Sequence, residues 1–204
     1  MNVEKMNRVA KTKRGRSTTS EERVEDKNNE KIVEAYILSY SDVSSNLEDI
    51  LLENTIIEDR ELDKVFIDLY GKYKNVRVES DTIILPVNHN NKVPKLVTFK
   101  DKEKFKNLIF ADEIIFIKPD KDYINPRFLF YIMSTPEIIN RLNNDEKNDE
   151  NKKKKKLTCS EVESLTFNLP SMEKQLEIVK QLDSISSKKV ELEKQAKKIL
   201  ANLT

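Results

Sequence analysis

The chain has 204 residues, 37% of them hydrophobic and 36% charged, with a formal net charge of +1; it is polar for a folded protein yet long enough to bury a sizeable core. No stretch approaches the roughly 20 apolar residues of a membrane-spanning helix, the N-terminus has no apolar signal core, and the single Cys159 excludes an internal disulfide framework. These features predict a soluble cytoplasmic protein.

Nineteen Asn, nineteen Ile and a Lys-rich basic set carry the codon bias of an AT-rich genome. Signals built only from Lys, Asn or Asp are therefore discounted. The near-zero net charge hides an asymmetry. Asp42 to Asp68 holds nine acidic residues against Arg60 and Lys64, whereas Lys72 to Lys106 holds nine basic residues against four acidic ones. A basic segment beside an acidic one suits a domain with one phosphate-facing side, and equally suits solvated faces in a Lys-rich proteome.

Residues 1–31 carry few large apolar side chains. They hold Lys11, Lys13, Arg14 and Arg16, then Ser17 to Ser20, and read as a charged flexible arm with a short helix around Glu21 to Asp26. From Ile32 the texture changes. Ala35 to Tyr40, Val65 to Leu69, Thr82 to Val87, Leu96 to Phe99 and Ile114 to Ile117 are short β-branched or aromatic runs between polar turns, which is the pattern of strands. With only Gly15 and Gly71 available, the turns must use Asn and Asp, as at His89-Asn90-Asn91.

Two helices follow. Asn125-Pro126 is an N-cap with proline at the first helical position, opening a helix through Phe128, Leu129 and Ile132. Thr135-Pro136-Glu137 repeats the signal for Ile138, Ile139 and Leu142. Asn143 to Lys156 is low-complexity and reads as a solvated loop. Leu165 to Leu169 alternates as a strand and stops at Pro170; Ser171 then caps a helix running to the C-terminus. Its apolar positions Ile178, Leu182, Ile185, Leu192, Ala196, Ile199 and Leu203, with Lys189 in the missing step, follow a 4-3-4-3-4-3-4 spacing. That is a heptad seam needing a partner. Its folding back on its own sheet fits the period less well. The fold class is α+β: a globular mixed-sheet domain at 32–156, then a strand and long coiled-coil helix at 157–204.

Catalytic chemistry finds little support. Asn125-Pro126-Arg127-Phe128 superficially resembles the base-holding loop of an adenine methyltransferase, but its second proline is Arg127 and no glycine-rich cofactor turn exists. Pro119-Asp120 with Asp145 and Lys147 spells a loose nuclease site, a cheap match among 36 acidic residues. His89 is the only histidine, so neither a His-based metal site nor a catalytic triad can be assembled. It reads as a surface turn residue, and Cys159 as packing near the following strand.

The order of the pieces carries a resemblance. Asp112 to Pro119 followed by Ile124-Asn125-Pro126-Arg127-Phe128-Leu129 is similar to the end of a type I target-recognition domain, where a strand runs into an x-N-P-x-[FY]-L helix. Leu157-Thr158, Leu165 to Pro170 and Glu173 to Val179 resemble that family's next block, a strand ending in proline before an [EK]-x-Q-x-x-I helix. Ile37 to Val43 and Val78 to Ile84 are similar to its two earlier strands. Over residues 32–204 the chain thus resembles a single-module form of the specificity subunit of type I restriction–modification systems. Ser80 stands where the family usually has glycine, the family's glycine- and aromatic-containing start is not evident, and one module and one helix replace the usual two of each.

The resemblance implies a non-catalytic, DNA-binding subunit of a bacterial defence system, one that reads half of a bipartite site. The helix would serve as spacer and docking post for DNA methyltransferase (modification) subunits. S-adenosylmethionine, ATP and Mg would sit on those and on the restriction subunit, with no cofactor on this chain. Pairing would occur with a second copy or another half-specificity subunit. Polar residues on loops of the basic segment are the candidates for contacting double-stranded DNA: Lys72, Lys74, Arg77, Asn88, His89, Asn90, Asn91, Lys92 and Lys95. The alternative is a coiled-coil interaction or inhibitory remnant with no DNA reading of its own.

Overall fold

The computed structural model describes residues 2–24, 29–57, 61–88, 91–143 and 156–201. It begins with strand β1 (Asn2–Lys5), the single turn α1 (Met6–Val9) and strand β2 (Ala10–Arg14). Next come β3 (Val33–Leu38), α2 (Leu47–Leu52), β4 (Asp63–Ile67), β5 (Thr82–Pro86), β6 (Lys95–Val97), β7 (Leu108–Phe110) and β8 (Ile114–Pro119). The chain closes with α3 (Pro126–Met133), α4 (Pro136–Asn143), α5 (Cys159–Glu163), β9 (Thr166–Leu169) and α6 (Met172–Ala201).

The central layer is the sheet β2-β8-β5-β6, antiparallel at every pair. Its central strands are buried on both faces over residues 82–86 and 114–117, and alternate residues serve opposite cores. Ile83, Leu85, Ile115 and Ile117 face a core built with α1, α3, α4, α5, β9 and the start of α6. Ile84, Val97, Ile114 and Phe116 face a second core closed by the sheet β4-β3-β7. Phe110 stacks on Phe116 across that second core at 4.7 Å between centroids. An antiparallel and a mixed sheet, with helices and a long terminal helix, bear out the α+β expectation.

The flexible arm expected at residues 1–31 is overturned for residues 2–16. β1 pairs with β9, and β2 pairs with β8 from Ala10↔Pro119 to Arg14↔Ile115. Met6 and Val9, at 0% and 2% exposure, enter the first core. With Ala10 these are the segment's three apolar anchors, and backbone pairing of the strands adds to them. Of the expected helix at Glu21 to Asp26, Glu21–Arg23 forms a short 3-10 helix, and Glu25 and Asp26 lie outside the described residues. Gly15 lets β2 end tightly: a Cβ there would lie 1.9 Å from the Ala111 carbonyl oxygen.

The division at 156/157 does not separate two cores either, since Leu157, Val162, Leu165, Phe167 and Val179 share the first core with Ile83. Among the described residues β9 pairs with β1 in a separate two-stranded sheet. The glycine shortage is met as expected at one turn, where Asp81 adopts φ 66 ahead of β5, a region Asp enters more readily than most residues. Ser80, in place of the family's glycine, accepts a hydrogen bond from Phe99 N at 3.1 Å.

Candidate nucleic-acid interface

One face of the central sheet changes chemistry across its width. On β5 and β8, Ile84 and Phe116 are at most 1% exposed against the second core. On the edge strand β2 the continuation of that face carries Lys11 and Lys13, which pair in register with Lys118 and Phe116 and are exposed. Lys74 and Asn75, on a short 3-10 helix, join them with Arg8, Lys121, Glu79 and Asp120 around a groove of about 620 Å³. Six cations against two carboxylates give it a positive field, which draws anions.

The cations differ in their commitments. Arg8 pairs with Glu4 at 3.5 Å, Lys118 with Glu79 at 2.6 Å and Lys121 with Asp81 at 2.5 Å. Among the described residues, Lys11, Lys13 and Lys74 have no ion-pair partner. A second cleft shares Glu79 and Lys121 with the groove and is lined by Arg77, Lys100, Lys102 and Lys106 against Glu53, Asp81 and Glu103, so its charge is nearly balanced. The two adjoin as one track, whose net positive charge lies mostly in the groove.

The nine residues expected to contact DNA are not brought together. Lys74 lies on the track as a groove residue, and Arg77 lines the second cleft, stacked 4.8 Å over Tyr70 and donating to Lys106 O at 3.3 Å. Lys72 instead pairs with Glu22 at 2.5 Å, next to Tyr73. Burial pushes the Glu22 carboxyl up, but hydrogen bonds from Lys72, Thr19 N and Tyr73 outweigh it and hold the group down at about 2. Burial, then the bond to Glu22, pushes the Tyr73 hydroxyl well above the usual tyrosine range.

Asn88 and Asn91 are exposed, but beyond the far end of β5 from Lys118. His89 and Asn90 lie outside the described residues, as do Asp145 and Lys147 of the nuclease spelling. Two candidates need correction. Lys92 is only 3% exposed, with its backbone N–H on Asn143 Oδ1 at 3.1 Å. Lys95 turns inward: its Nζ donates to Tyr40 O at 2.9 Å and Val43 O at 2.6 Å and sits 4.2 Å over the Tyr40 ring. Both hold the fold rather than face a ligand.

Sequence reasoning missed Lys11, Lys13, Lys118 and Lys121 as site residues. The signal available was Ala10-Lys11-Thr12-Lys13, an alternation that buries Ala10 and Thr12 and exposes the lysines.

The two helix motifs meet in one contact. Asn125 caps α3 by accepting from Arg127 N and Phe128 N at 3.0 and 3.1 Å, a purely structural use of Asn-Pro. Gln175 of α6, 1% exposed, accepts from Asn125 N at 2.8 Å and donates to Tyr123 O and Pro170 O at 3.1 and 3.0 Å. Farther along, Asp183 accepts from Arg127 at 2.5 Å and from the Tyr131 hydroxyl, and Lys194 pairs with Glu48 of α2 at 2.5 Å. Burial and that bond to Asp183 push the Tyr131 hydroxyl up to about 12.

These contacts lie on one stripe of α6. The heptad seam is about a third of a turn away. Ile178 and Leu182 are half-buried at its start, whereas Ile185, Leu192 and Ile199 are 62%, 65% and 62% exposed. Ala196 is exposed as well, and Leu203 lies outside the described residues. Helix α6 does fold along its own module: Ile178 at the start of the seam packs on the first core, and the seam from Ile185 onward is left exposed. Cys159, the first residue of α5, packs half-buried against the first core, where burial raises its thiol.

Comparison with known proteins gives this arrangement a family. The chain superposes on the HsdS subunit from Thermoanaerobacter tengcongensis with a TM-score of 0.67 at 14% identity, covering 98% of this chain and 46% of that one. It also matches a chain from a structure concerning complex assembly and conformational transition of the type I R-M system, with a TM-score of 0.60 at 13% identity over 99% of this chain and 42% of that one. It therefore spans less than half the length of either. No curated protein matches the sequence. The family described as type I restriction modification DNA specificity domain matches residues 1–202, and the chain belongs to that family.

Proposed function

We propose that this chain reads one half of a bipartite DNA site and positions a DNA methyltransferase on it, itself supplying recognition and no catalysis. The observation that carries the reading is the cationic groove on a specificity-domain fold, with Lys11, Lys13 and Lys74 exposed and, among the described residues, without ion pairs. Such cations contribute the sequence-independent phosphate term, and base-edge contacts from neighbouring loops add the choice of sequence. Asn88 and Asn91, with their amide groups exposed, remain candidates for adenine contacts.

The seam of α6 gives the second half of the function. Its exposed Ile185, Leu192 and Ile199 pack against the same helix of a second copy, or of another half-specificity subunit, most naturally antiparallel. Two identical readers then stand at the ends of a two-fold object and select inverted-repeat half-sites. The 30 residues of α6 span about 45 Å at the α-helical rise and set the gap. Modification subunits with S-adenosylmethionine, and a restriction subunit with ATP and Mg, complete the assembly.

Methylation sequencing of a host expressing the chain with its methyltransferase tests the reading. A palindromic bipartite motif with one fixed gap is expected. An asymmetric bipartite motif replaces the homodimer by a hetero-pair, and a motif independent of this chain overturns the recognition role.

A further inference from the structure

Resting on the DNA-recognition reading, we propose that Glu79 and Asp81 are a built-in brake on sequence-independent DNA binding, holding Lys118 and Lys121 off the phosphate backbone. Glu79 lines both the groove and the second cleft, and Asp81 lines the second cleft while pairing with Lys121, which lines both. Their ion pairs divide the track into Lys11, Lys13 and Lys74, which are open to phosphate, and Lys118 and Lys121, which are already occupied. A phosphate approaching the second pair must displace a carboxylate and also meets its charge.

The fold does not call for these acids. The Glu79 side chain is 65% exposed, and exposed ion pairs contribute little to stability. Lys118 is held in place independently, because its Nζ also donates to Arg77 O at 3.2 Å and its side chain is only 22% exposed. Neutralising Glu79 therefore leaves a positioned ammonium facing the groove. Asp81 needs its φ of 66 and accepts from Thr98 Oγ1 at 3.4 Å. Asn tolerates that φ and keeps an accepting oxygen, so Asp81→Asn removes charge with little else.

The test is a salt titration of the full chain binding a random-sequence duplex. Glu79→Gln with Asp81→Asn should bind more tightly, roughly tenfold per released lysine at about 0.1 M salt, with a log–log salt slope steeper by about two. Glu79→Asp, which keeps the charge, should stay close to the unaltered chain. Unchanged or weaker binding by the neutral variants, with an unaltered urea midpoint showing that they fold, overturns the brake. The triple change Lys11→Ala, Lys13→Ala and Lys74→Ala separates the two ideas. A slope it fails to flatten removes the interface itself, whereas a flattened slope with inert Glu79 and Asp81 variants removes only the brake.

Discussion

The groove beside β2 and the outer stripe of α6 are both surfaces that the fold leaves unmatched, and they differ in kind. The groove offers charge: Lys11 and Lys13 on the edge of a sheet whose centre is sealed, with Lys74 beside them, three lysines without ion pairs among the described residues. The stripe offers apolar area: Ile185, Leu192 and Ile199, each more than 60% exposed on a helix whose other stripe is docked. Charge without a partner is solvated at little cost and waits for a polyanion. Exposed apolar side chains at heptad spacing wait for another helix. The first partnership should respond to salt and the second to protein concentration.

The comparison breaks most readily at the seam. Ile185→Asp with Leu192→Asp should abolish self-association in sedimentation, because each places a charge in a helix–helix contact. The salt slope for DNA should stay as it was, since neither residue is near the groove. A monomer for both the altered and unaltered chains, with or without the methyltransferase, would remove the seam as an interface. The contrast sharpens at the joint between the two surfaces. Gln175→Ala removes three buried hydrogen bonds and strands the polar groups of Asn125, Tyr123 and Pro170. It should cost about 3 kcal/mol in urea unfolding and impair DNA binding and association together. A cost near zero would mean that the joint does not tie helix to module.

These contrasts also explain what the sequence disclosed. The five strand runs from Ala35 to Ile117 and the Asn125-Pro126 and Ser171 helix starts were legible because their signals are local: periodicity, caps and proline. Ser171 does cap α6, through Lys174 N at 3.4 Å. β7 was missed because three residues, Leu108–Phe110, carry no period. The strands of residues 2–14 were missed because their apolar content is small and their partners, β8 and β9, lie more than a hundred residues away. That miss propagated to the site. Lys11 and Lys13 read as part of an arm, while the discounting of Lys-rich segments hid Lys118 and Lys121. Lys92 and Lys95 show the converse error, since a loop lysine counted as basic surface can be consumed by backbone carbonyls, as at Tyr40 and Val43. The [EK]-x-Q spacing marked Gln175, but only the fold shows it holding Asn125.

Duplex DNA lying across the β2–β8 edge, as proposed, is tested most directly by the salt dependence of binding. For the chain with Lys11→Ala, Lys13→Ala and Lys74→Ala, the log–log slope against salt should flatten by about three, with affinity lost alike for every sequence. A slope equal to that of the unaltered chain would contradict the claim and place the DNA on another face.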